Sequence, residues 1–420
     1  MGIFAEIKIS PDMNRRKFIQ TGALATTALW MPKFLKAFEP PGALPPGGKI
    51  LVLIQLSGGN DGLNTIIPYR NDIYYRERPR LAIQRAQALS LNEETGLHPS
   101  LSGLKNLYDQ GYMSVLNGVG YPNPDRSHFR SMDIWHSASP AEQYWSSGWL
   151  GRYLDAQCNG CAQPTGVLEI DDTLSLALKG VKNKGLAFED PRRLHEAAHS
   201  PYFSEYVSAH PKPRREGGGT TGHVEEEAPV EYLYKTMAET LSSADYIFDQ
   251  SRKKSSSAVY PATELGKNLK TVASLILADS NTTVYYLSLG SFDTHINQDG
   301  QQRWLFEQLD GAIAAFAADM QANGKWNEVL VATFSEFGRR VSQNASNGTD
   351  HGTANNMMFF GGGLRRQGIL NAMSDLENLK DGDLQFQVDF RQVYATLLER
   401  WLRADSTAIL QQSFEPLSFL

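Results

Sequence analysis

The chain contains 420 residues, of which 41% are hydrophobic and 20% are charged, and its formal net charge is −6. This composition can bury a substantial core, so it excludes a generally disordered chain. A sequence pI near 5.9 without a long basic run argues against a nucleic-acid binder, and a mean hydropathy of −0.37 excludes a polytopic membrane protein. A soluble globular protein remains, most simply an enzyme.

Residues 1–38 are predicted to be an export signal. Arg15 and Arg16 directly precede a short apolar stretch, which is too short and too weak to span a membrane. The pair resembles the twin-arginine signal of exported bacterial proteins, and an amphipathic basic helix is the alternative. We therefore expect a periplasmic or exported protein, carried by the twin-arginine export machinery and retained at the membrane if the signal stays uncleaved. Residues 39–48 are predicted to be a linker.

The chain has two cysteines, Cys158 and Cys161, in a Cys-x-x-Cys spacing. In an exported protein such a pair is more often a local disulfide or a structural feature than a redox centre. Residues 211–230 are rich in glycine and glutamate and are predicted to form a mobile loop.

The next feature is an alternation of strands and helices from residue 49 to the C-terminus. Apolar runs predict strands at 49–56, 113–116, 283–289, 328–334 and 357–360. Helical periodicity is found between or after them, at 101–107, 265–278, 304–322 and 388–402. This order predicts a single α/β domain over 49–420, with a doubly wound, mostly parallel sheet and helices on both faces.

Carboxylates and imidazoles recur where these strands end, or just before the fifth strand begins. In an open α/β sheet, ligands bind outside the carboxyl ends of the strands. These side chains are ligands that Zn²⁺ or Mn²⁺ takes, although any one aspartate could instead cap a helix. We expect a divalent-metal site from the following residues: Asp61, Asp293, His295, Glu336, Asp350 and His351.

A second candidate segment follows the strand at 113–116. It contains Arg126, Ser127, His128 and Arg130. A serine beside cations can act as a nucleophile, and arginine pairs with phosphate or sulfate oxygens. The alternative is a turn with a local salt bridge. We take Ser127 as the candidate nucleophile, with Ser131 in reserve.

Together these segments resemble a known family. The stretches at 56–64, 126–129, 292–295, 335–339 and 349–352, with 389–394 near the end, resemble the bacterial domain-of-unknown-function 1501 family. That family is more distantly similar to the alkaline phosphatase and sulfatase superfamily. The resemblance implies an alkaline phosphatase-like sheet that carries one or two divalent metals.

The resemblance implies a first metal bound by Asp293, His295 and His351. Three ligands leave one position open, which is typical of a catalytic metal. The Asp-x-His spacing differs from the Asp-x-x-x-His of the superfamily. An alternative alignment places Asp350 and His351 on another Asp-His pair of the superfamily, which would leave the first metal without its last histidine. We favour the first alignment because the strand at 328–334 leads directly into Ser335.

Asp61 resembles the superfamily's ligand for a second metal. Glu336 stands where that family has an aspartate, and Phe337 replaces the adjoining histidine. A second site would therefore be weak, would hold Mg²⁺ or Ca²⁺, or would be empty. The usual nucleophile motifs of the superfamily are absent from the sequence.

The strand-end residues and the resemblance together imply two candidate functions. The first is an exported metal-dependent hydrolase of phosphate or sulfate esters, in which Ser127 or water attacks. Arg126, Arg130 or Arg339 would hold the anion of a small ester or of a sulfated or phosphorylated glycan, and His128 lies beside the nucleophile. The second is a catalytically lapsed envelope protein that binds a partner; a redox enzyme ranks last. The sequence does not set the oligomeric state, and it predicts that His195 and His199 are surface residues rather than ligands.

Overall fold

The computed structural model of the protein describes residues 48–157, 165–201 and 229–420. The predicted export signal and the two cysteines lie outside these residues, as do nearly all of the predicted linker and of the loop at 211–230. Across the described ranges, no helix combines the length and the apolar character needed to cross a membrane.

The described residues form fourteen strands and eleven α-helices, numbered in chain order. The strands are β1 (Ile50–Leu56), β2 (Ile66–Ile67), β3 (Leu89–Ser90), β4 (Gly96–Leu97), β5 (Met113–Gly120), β6 (Val167–Glu169), β7 (Leu186–Ala187), β8 (Val284–Leu289), β9 (Val329–Phe334), β10 (Asn355–Phe360), β11 (Gly368–Ile369), β12 (Leu379–Lys380), β13 (Asp383–Leu384) and β14 (Val388–Asp389). The helices are α1 (Gly62–Thr65), α2 (Asp72–Glu77), α3 (Ser102–Asp109), α4 (His128–Ser137), α5 (Trp149–Gln157), α6 (Pro191–Ala198), α7 (Pro229–Lys253), α8 (Glu264–Leu277), α9 (Gln298–Ala322), α10 (Phe390–Thr396) and α11 (Ser406–Leu410).

A nine-stranded sheet forms the centre of the fold, in the order β11-β5-β10-β9-β1-β8-β6-β7, with β14 paired to β5. Strand β1 lies between β8 and β9 and runs parallel to both. Strand β10 is antiparallel to β9 and to β5, so it is the reversed strand of this otherwise parallel sheet. The predicted mostly parallel α/β sheet is confirmed.

Each face of the sheet is covered by its own apolar core. Alternate residues of β1 point to opposite faces, with Val52 and Ile54 on one side and Leu51 and Leu53 on the other. Helices α3, α8 and α9 cover the first face. On the second face, aromatic rings of α4, α5 and α10 stack on one another, as Trp149 does on Tyr394 with ring centroids 4.2 Å apart. Burial on both faces explains why β1 is continuously apolar, and the predicted doubly wound arrangement is confirmed.

The reversal of β10 decides which loops meet. The chain that enters β10 lies at the same edge as the chain that leaves β1, β8 and β9. The predicted ligands before the fifth strand therefore share one sheet edge with those after the other strands. All five predicted strands are present, and β6 and β7, of three and two residues, are too short for a periodic pattern to show them. The predicted helix at 388–402 is α10 followed by a π-helical turn at Leu397–Trp401.

Candidate metal centre

Three histidine side chains converge on one carboxylate oxygen at this edge. The Nε2 atoms of His295, His351 and His128 lie 3.0, 3.2 and 3.5 Å from Oδ1 of Asp293. We call these four residues the strand-edge cluster. Zinc–ligand bonds of 2.0–2.1 Å in a tetrahedron place neighbouring ligand atoms about 3.3 Å apart. The distances from Asp293 Oδ1 match this spacing, and the ligand atoms of His128, Asp293 and His351 all lie within 4.8 Å of one another.

Each imidazole of the cluster is held by an acceptor outside it. Nδ1 of His128 lies 3.0 Å from Glu336 Oε1, and Nδ1 of His295 lies 3.2 Å from Asp350 Oδ1. Nδ1 of His351 lies 2.7 Å from the backbone carbonyl oxygen of Arg126. A proton on Nδ1 that is donated outward leaves the lone pair of Nε2 facing inward. This is how metal-binding histidines are normally oriented.

With each ring proton on Nδ1, the inward-facing nitrogens face no hydrogen-bond donor among the residues that the structure describes. The Nε2 atoms of His295 and His351 face each other at 2.9 Å, and with both protons on Nδ1 their lone pairs repel. Nε2 of His128 is buried and forms no hydrogen bond with any residue that the structure describes. A buried polar atom without a partner needs an explanation, and a cation between these groups supplies one. The donor set, three imidazoles and one carboxylate, fits a divalent metal such as Zn²⁺.

The charges around Asp293 keep it ionised. Burial raises the pKa of this carboxyl, but Arg339 and the imidazoles of His351 and His295 outweigh that effect and lower its pKa to about 2. The hydrogen bond to Glu336 raises the pKa of His128, whereas burial lowers the pKa of His351. Asp293 is therefore ionised at neutral pH, which is the form in which a carboxylate binds a metal.

Arg339 organises the loops around this site. Its buried guanidinium donates to Asp293 Oδ1 at 2.8 Å and to backbone carbonyls, those of Gly59 at 2.6 Å and Thr349 at 2.8 Å among them. The guanidinium of Arg339, which the sequence offered as one candidate for holding the substrate anion, is therefore already engaged by protein groups. The approach of the loops also requires Gly58, which has φ of +116° and where a Cβ atom would lie 2.5 Å from the backbone nitrogen of Asp293.

Asp61 has partners other than the expected metal. Its Oδ2 accepts hydrogen bonds from Arg78 and from Gln298, both at 2.5 Å, and its Oδ1 caps α1 through Leu63 N at 3.2 Å. Asp61 and Arg78 are both buried. In the part of the chain that the structure describes, Asp61 belongs to no group of metal-type ligands. It forms a structural ion pair.

A cavity of about 370 Å³ adjoins the cluster. Phe337 forms part of its wall and packs against the rings of His128 and His351, with centroids 4.8 and 4.7 Å away. Arg126 also lines the cavity; its guanidinium pairs with the buried Asp383, and its side chain as a whole is 39% exposed. Phe337 cannot ligate a metal, and its position gives it the role of a wall between the cluster and the cavity.

The other candidate side chains that follow β5 differ in whether they are free to contact a substrate. Arg130 donates to the backbone carbonyls of Ala141 and Gln143 and lies over the ring of Tyr144, so it is held by the protein. Ser131 is buried and donates to a backbone carbonyl. Ser127 is exposed at the start of α4, and its hydroxyl forms no capping bond with the helix.

A family model described as "Protein of unknown function (DUF1501)" matches residues 110–411, more than half of the chain. The chain belongs to the DUF1501 family. This match confirms the family resemblance drawn from the motifs. The search of curated proteins gives no match.

Solved structures show a loose likeness to this DUF1501 chain. The PsFucS1 sulfatase from Pseudoalteromonas sp. is 9% identical, with 88% of this chain and 70% of the other covered and a TM-score of 0.40. The C-terminal periplasmic domain of EcEptC from Escherichia coli, solved in complex with Zn, is 9% identical over 75% and 73% of the two chains, with a TM-score of 0.35. The lipoteichoic acid synthase LtaP from Listeria monocytogenes is 10% identical over 77% and 68%, with a TM-score of 0.30.

The structure brings some of the predicted site residues of this DUF1501 protein together and assigns others to supporting positions. Asp293, His295 and His351 share one cluster, and His128 joins them from the start of α4. The sequence analysis placed His128 beside the nucleophile rather than among the ligands. The signal that could have placed it was available, because it follows β5, whose end lies at the same sheet edge. Glu336 and Asp350 orient imidazoles from outside.

Proposed function

We propose that this protein is an exported, metal-dependent hydrolase of phosphate or sulfate esters. The observation that carries the proposal is the convergence of three imidazole Nε2 atoms on Asp293 beside a cavity lined by Arg126. A divalent ion supplies Lewis acidity that stabilises negative charge on ester oxygens. Zn²⁺ and Mn²⁺ are the proposed ions, and the site is proposed to lie in the periplasm or outside the cell.

The residues of the strand-edge cluster and of the neighbouring cavity have separate proposed roles. His128, His295, His351 and Asp293 hold the ion, and Arg126, which stays partly exposed, holds the anionic group of the substrate. The other two arginines that the sequence offered for this role donate to backbone carbonyls instead.

Ser127 is the proposed nucleophile, and water is the alternative. Its hydroxyl is exposed next to His128, at the start of a ten-residue helix. Amide groups of a first helical turn carry partial positive charge and favour an anionic group. A cavity of about 370 Å³ admits a small ester or one residue of a sulfated or phosphorylated glycan.

The test is turnover by the full chain after the metal has been stripped and reloaded. Zn²⁺- or Mn²⁺-loaded protein is assayed with p-nitrophenyl phosphate, p-nitrophenyl sulfate and a sulfated glycan. We expect turnover that requires the ion and falls to background in His128→Ala, whereas Ser257→Ala, a change at an exposed serine outside the cluster, leaves it intact. Loss of turnover in Ser127→Ala with the metal retained identifies the nucleophile. A fully loaded protein that turns over none of these esters contradicts the proposal.

One observation favours the second candidate, a lapsed hydrolase that binds a partner. Four side chains surround the proposed ion, whereas catalytic zinc normally has three protein ligands and an open position. Co²⁺-loaded protein distinguishes the two. A visible spectrum that shifts on addition of phosphate or sulfate indicates an open position, and a spectrum that stays unchanged indicates a closed, structural site.

A further inference from the structure

A second group of imidazole and carboxylate side chains lies outside the strand-edge cluster. His195 belongs to α6 and His199 ends it, while Asp245 belongs to α7. Their ligand atoms lie within 4.8 Å of one another. Nε2 of His199 is 2.6 Å from Oδ1 of Asp245, and Nε2 of His195 is 3.4 Å from the same oxygen. We call these three residues the helix cluster.

Local structure determines this geometry. Asp190 caps α6 by accepting hydrogen bonds from the Arg192 and Arg193 amides, which fixes where the helix begins. Residues four apart on a helix share one face, so His195 and His199 present their rings side by side, with centroids 4.4 Å apart. The ring of His195 also stacks on Phe248 of α7, at a centroid distance of 4.2 Å. The packing of two helices thus sets the rings beside Asp245.

We propose that the helix cluster binds a divalent ion of the imidazole-preferring kind, Zn²⁺, Ni²⁺ or Cu²⁺. Two imidazoles and one carboxylate are donors that these ions take, whereas Mg²⁺ and Ca²⁺ prefer sets of oxygen atoms. The side chains of His195, His199 and Asp245 are 31%, 46% and 46% exposed, so an ion reaches them from solvent. Three protein ligands leave a further position for water. A bound ion joins α6 to α7.

This inference does not depend on the proposed hydrolase. The helix cluster shares no residue with the strand-edge cluster, and its binding is measured without substrate. It departs from the expectation from sequence that His195 and His199 are surface residues rather than ligands. Both histidines are at the surface, but the fold places them beside the carboxylate of Asp245, which is about fifty residues further along the chain in α7.

The test is a calorimetric titration of the full, metal-stripped chain with ZnCl₂. We expect the His195→Ala/His199→Ala double variant to bind one equivalent fewer than the parent. Glu196→Ala, a change at an exposed residue of the same helix, should match the parent. Zn²⁺ should raise the melting temperature of a His128→Ala/His351→Ala variant, in which the helix cluster is intact, and excess MgCl₂ should not reproduce the effect.

Two further measurements keep the proposal testable if the double variant folds poorly. Asp245→Asn should weaken binding of the same equivalent while leaving both rings in place. Co²⁺ bound to the His128→Ala/His351→Ala variant should give a visible spectrum that His199→Gln abolishes. Equal stoichiometry in the parent and in the folded double variant overturns the proposal, as does equal binding of Mg²⁺ and Zn²⁺.

Discussion

Two aspartates at the ends of adjacent parallel strands have opposite roles. Asp61 follows β1 and Asp293 follows β8, and the two strands are in register up to Leu56 and Leu289. The Asp61 side chain is 1% exposed and is neutralised by Arg78, whereas that of Asp293 is 47% exposed and faces three imidazoles. The same residue type at the same sheet edge is thus a structural group in one loop and a ligand-type group in the other.

The difference lies in how each carboxylate is compensated. A buried charge is tolerated when fixed partners satisfy it, and the oxygens of Asp61 are already occupied by Arg78, Gln298 and the Leu63 amide. Among the described residues, Asp293 pairs with one fixed cation, Arg339, and otherwise with imidazoles, whose inward lone pairs attract a cation. The partners rather than the aspartate decide the role.

The first prediction concerns the loss of the buried ion pair between Asp61 and Arg78. Asp61→Asn leaves the buried Arg78 guanidinium without its counter-charge, which should lower the free energy of unfolding by about 3 to 5 kcal/mol. Urea unfolding measures this loss. Asp109→Asn removes an exposed ion pair with Lys105 and should cost less than about 1 kcal/mol. Similar losses in the two variants would contradict the contrast, as would an Asp61→Asn variant that stays stable but no longer binds metal.

The second prediction concerns the support of the strand-edge cluster. Glu336→Gln removes the charge that orients His128 through Nδ1 and should weaken metal binding about 10- to 100-fold, or roughly 1.4 to 2.8 kcal/mol. Competition with a chromophoric chelator measures the affinity. Glu307→Gln, a change at an exposed position of α9, serves as the control. An unchanged affinity in Glu336→Gln would contradict the supporting role of the Glu336 charge.

The third prediction uses His98, a buried imidazole near Asp61. His98 is 2% exposed, its Nδ1 accepts from the Ser100 amide at 3.1 Å, and burial lowers its pKa to about 4. Because the unfolded chain takes up this proton near pH 6.5 and the folded chain does not, stability is lost as the pH falls from about 6.5 towards 4.

Because of this difference in proton uptake at His98, the free energy of unfolding should be about 2 kcal/mol lower at pH 5 than at pH 7. His98→Asn should reduce the pH dependence of the unfolding free energy by that amount, as measured by urea unfolding at the two pH values. A pH dependence that is unchanged in the variant would contradict the burial argument.

Much of the fold could be predicted from the sequence because strands that are buried on both faces consist of consecutive apolar residues. The run at 49–56 and the strand at 328–334 appear as β1 and β9 with ends shifted by one residue. Short edge strands such as β7, with two residues, carry no such pattern. Their pairing depends on neighbours distant in the chain.

The site was less predictable, because its roles depend on partners that the sequence does not place side by side. The strand ends predicted a larger set of ligands, and the family resemblance grouped Asp293, His295 and His351 within it. That Arg78 would neutralise Asp61, or that Glu336 would hold His128 at a sequence distance of 208 residues, required the tertiary structure. The direction of β10 was equally decisive, since it brings His351 to the edge where β8 ends.

The most direct test of the central claim is X-ray absorption at the zinc edge. The sample is the zinc-loaded His195→Ala/His199→Ala variant, in which the helix cluster cannot contribute. The account predicts one retained zinc with about three imidazole nitrogens and one oxygen at 2.0–2.1 Å, and loss of that zinc in the added Asp293→Asn change. A zinc surrounded by oxygen alone, or no zinc retained at neutral pH, would contradict the account.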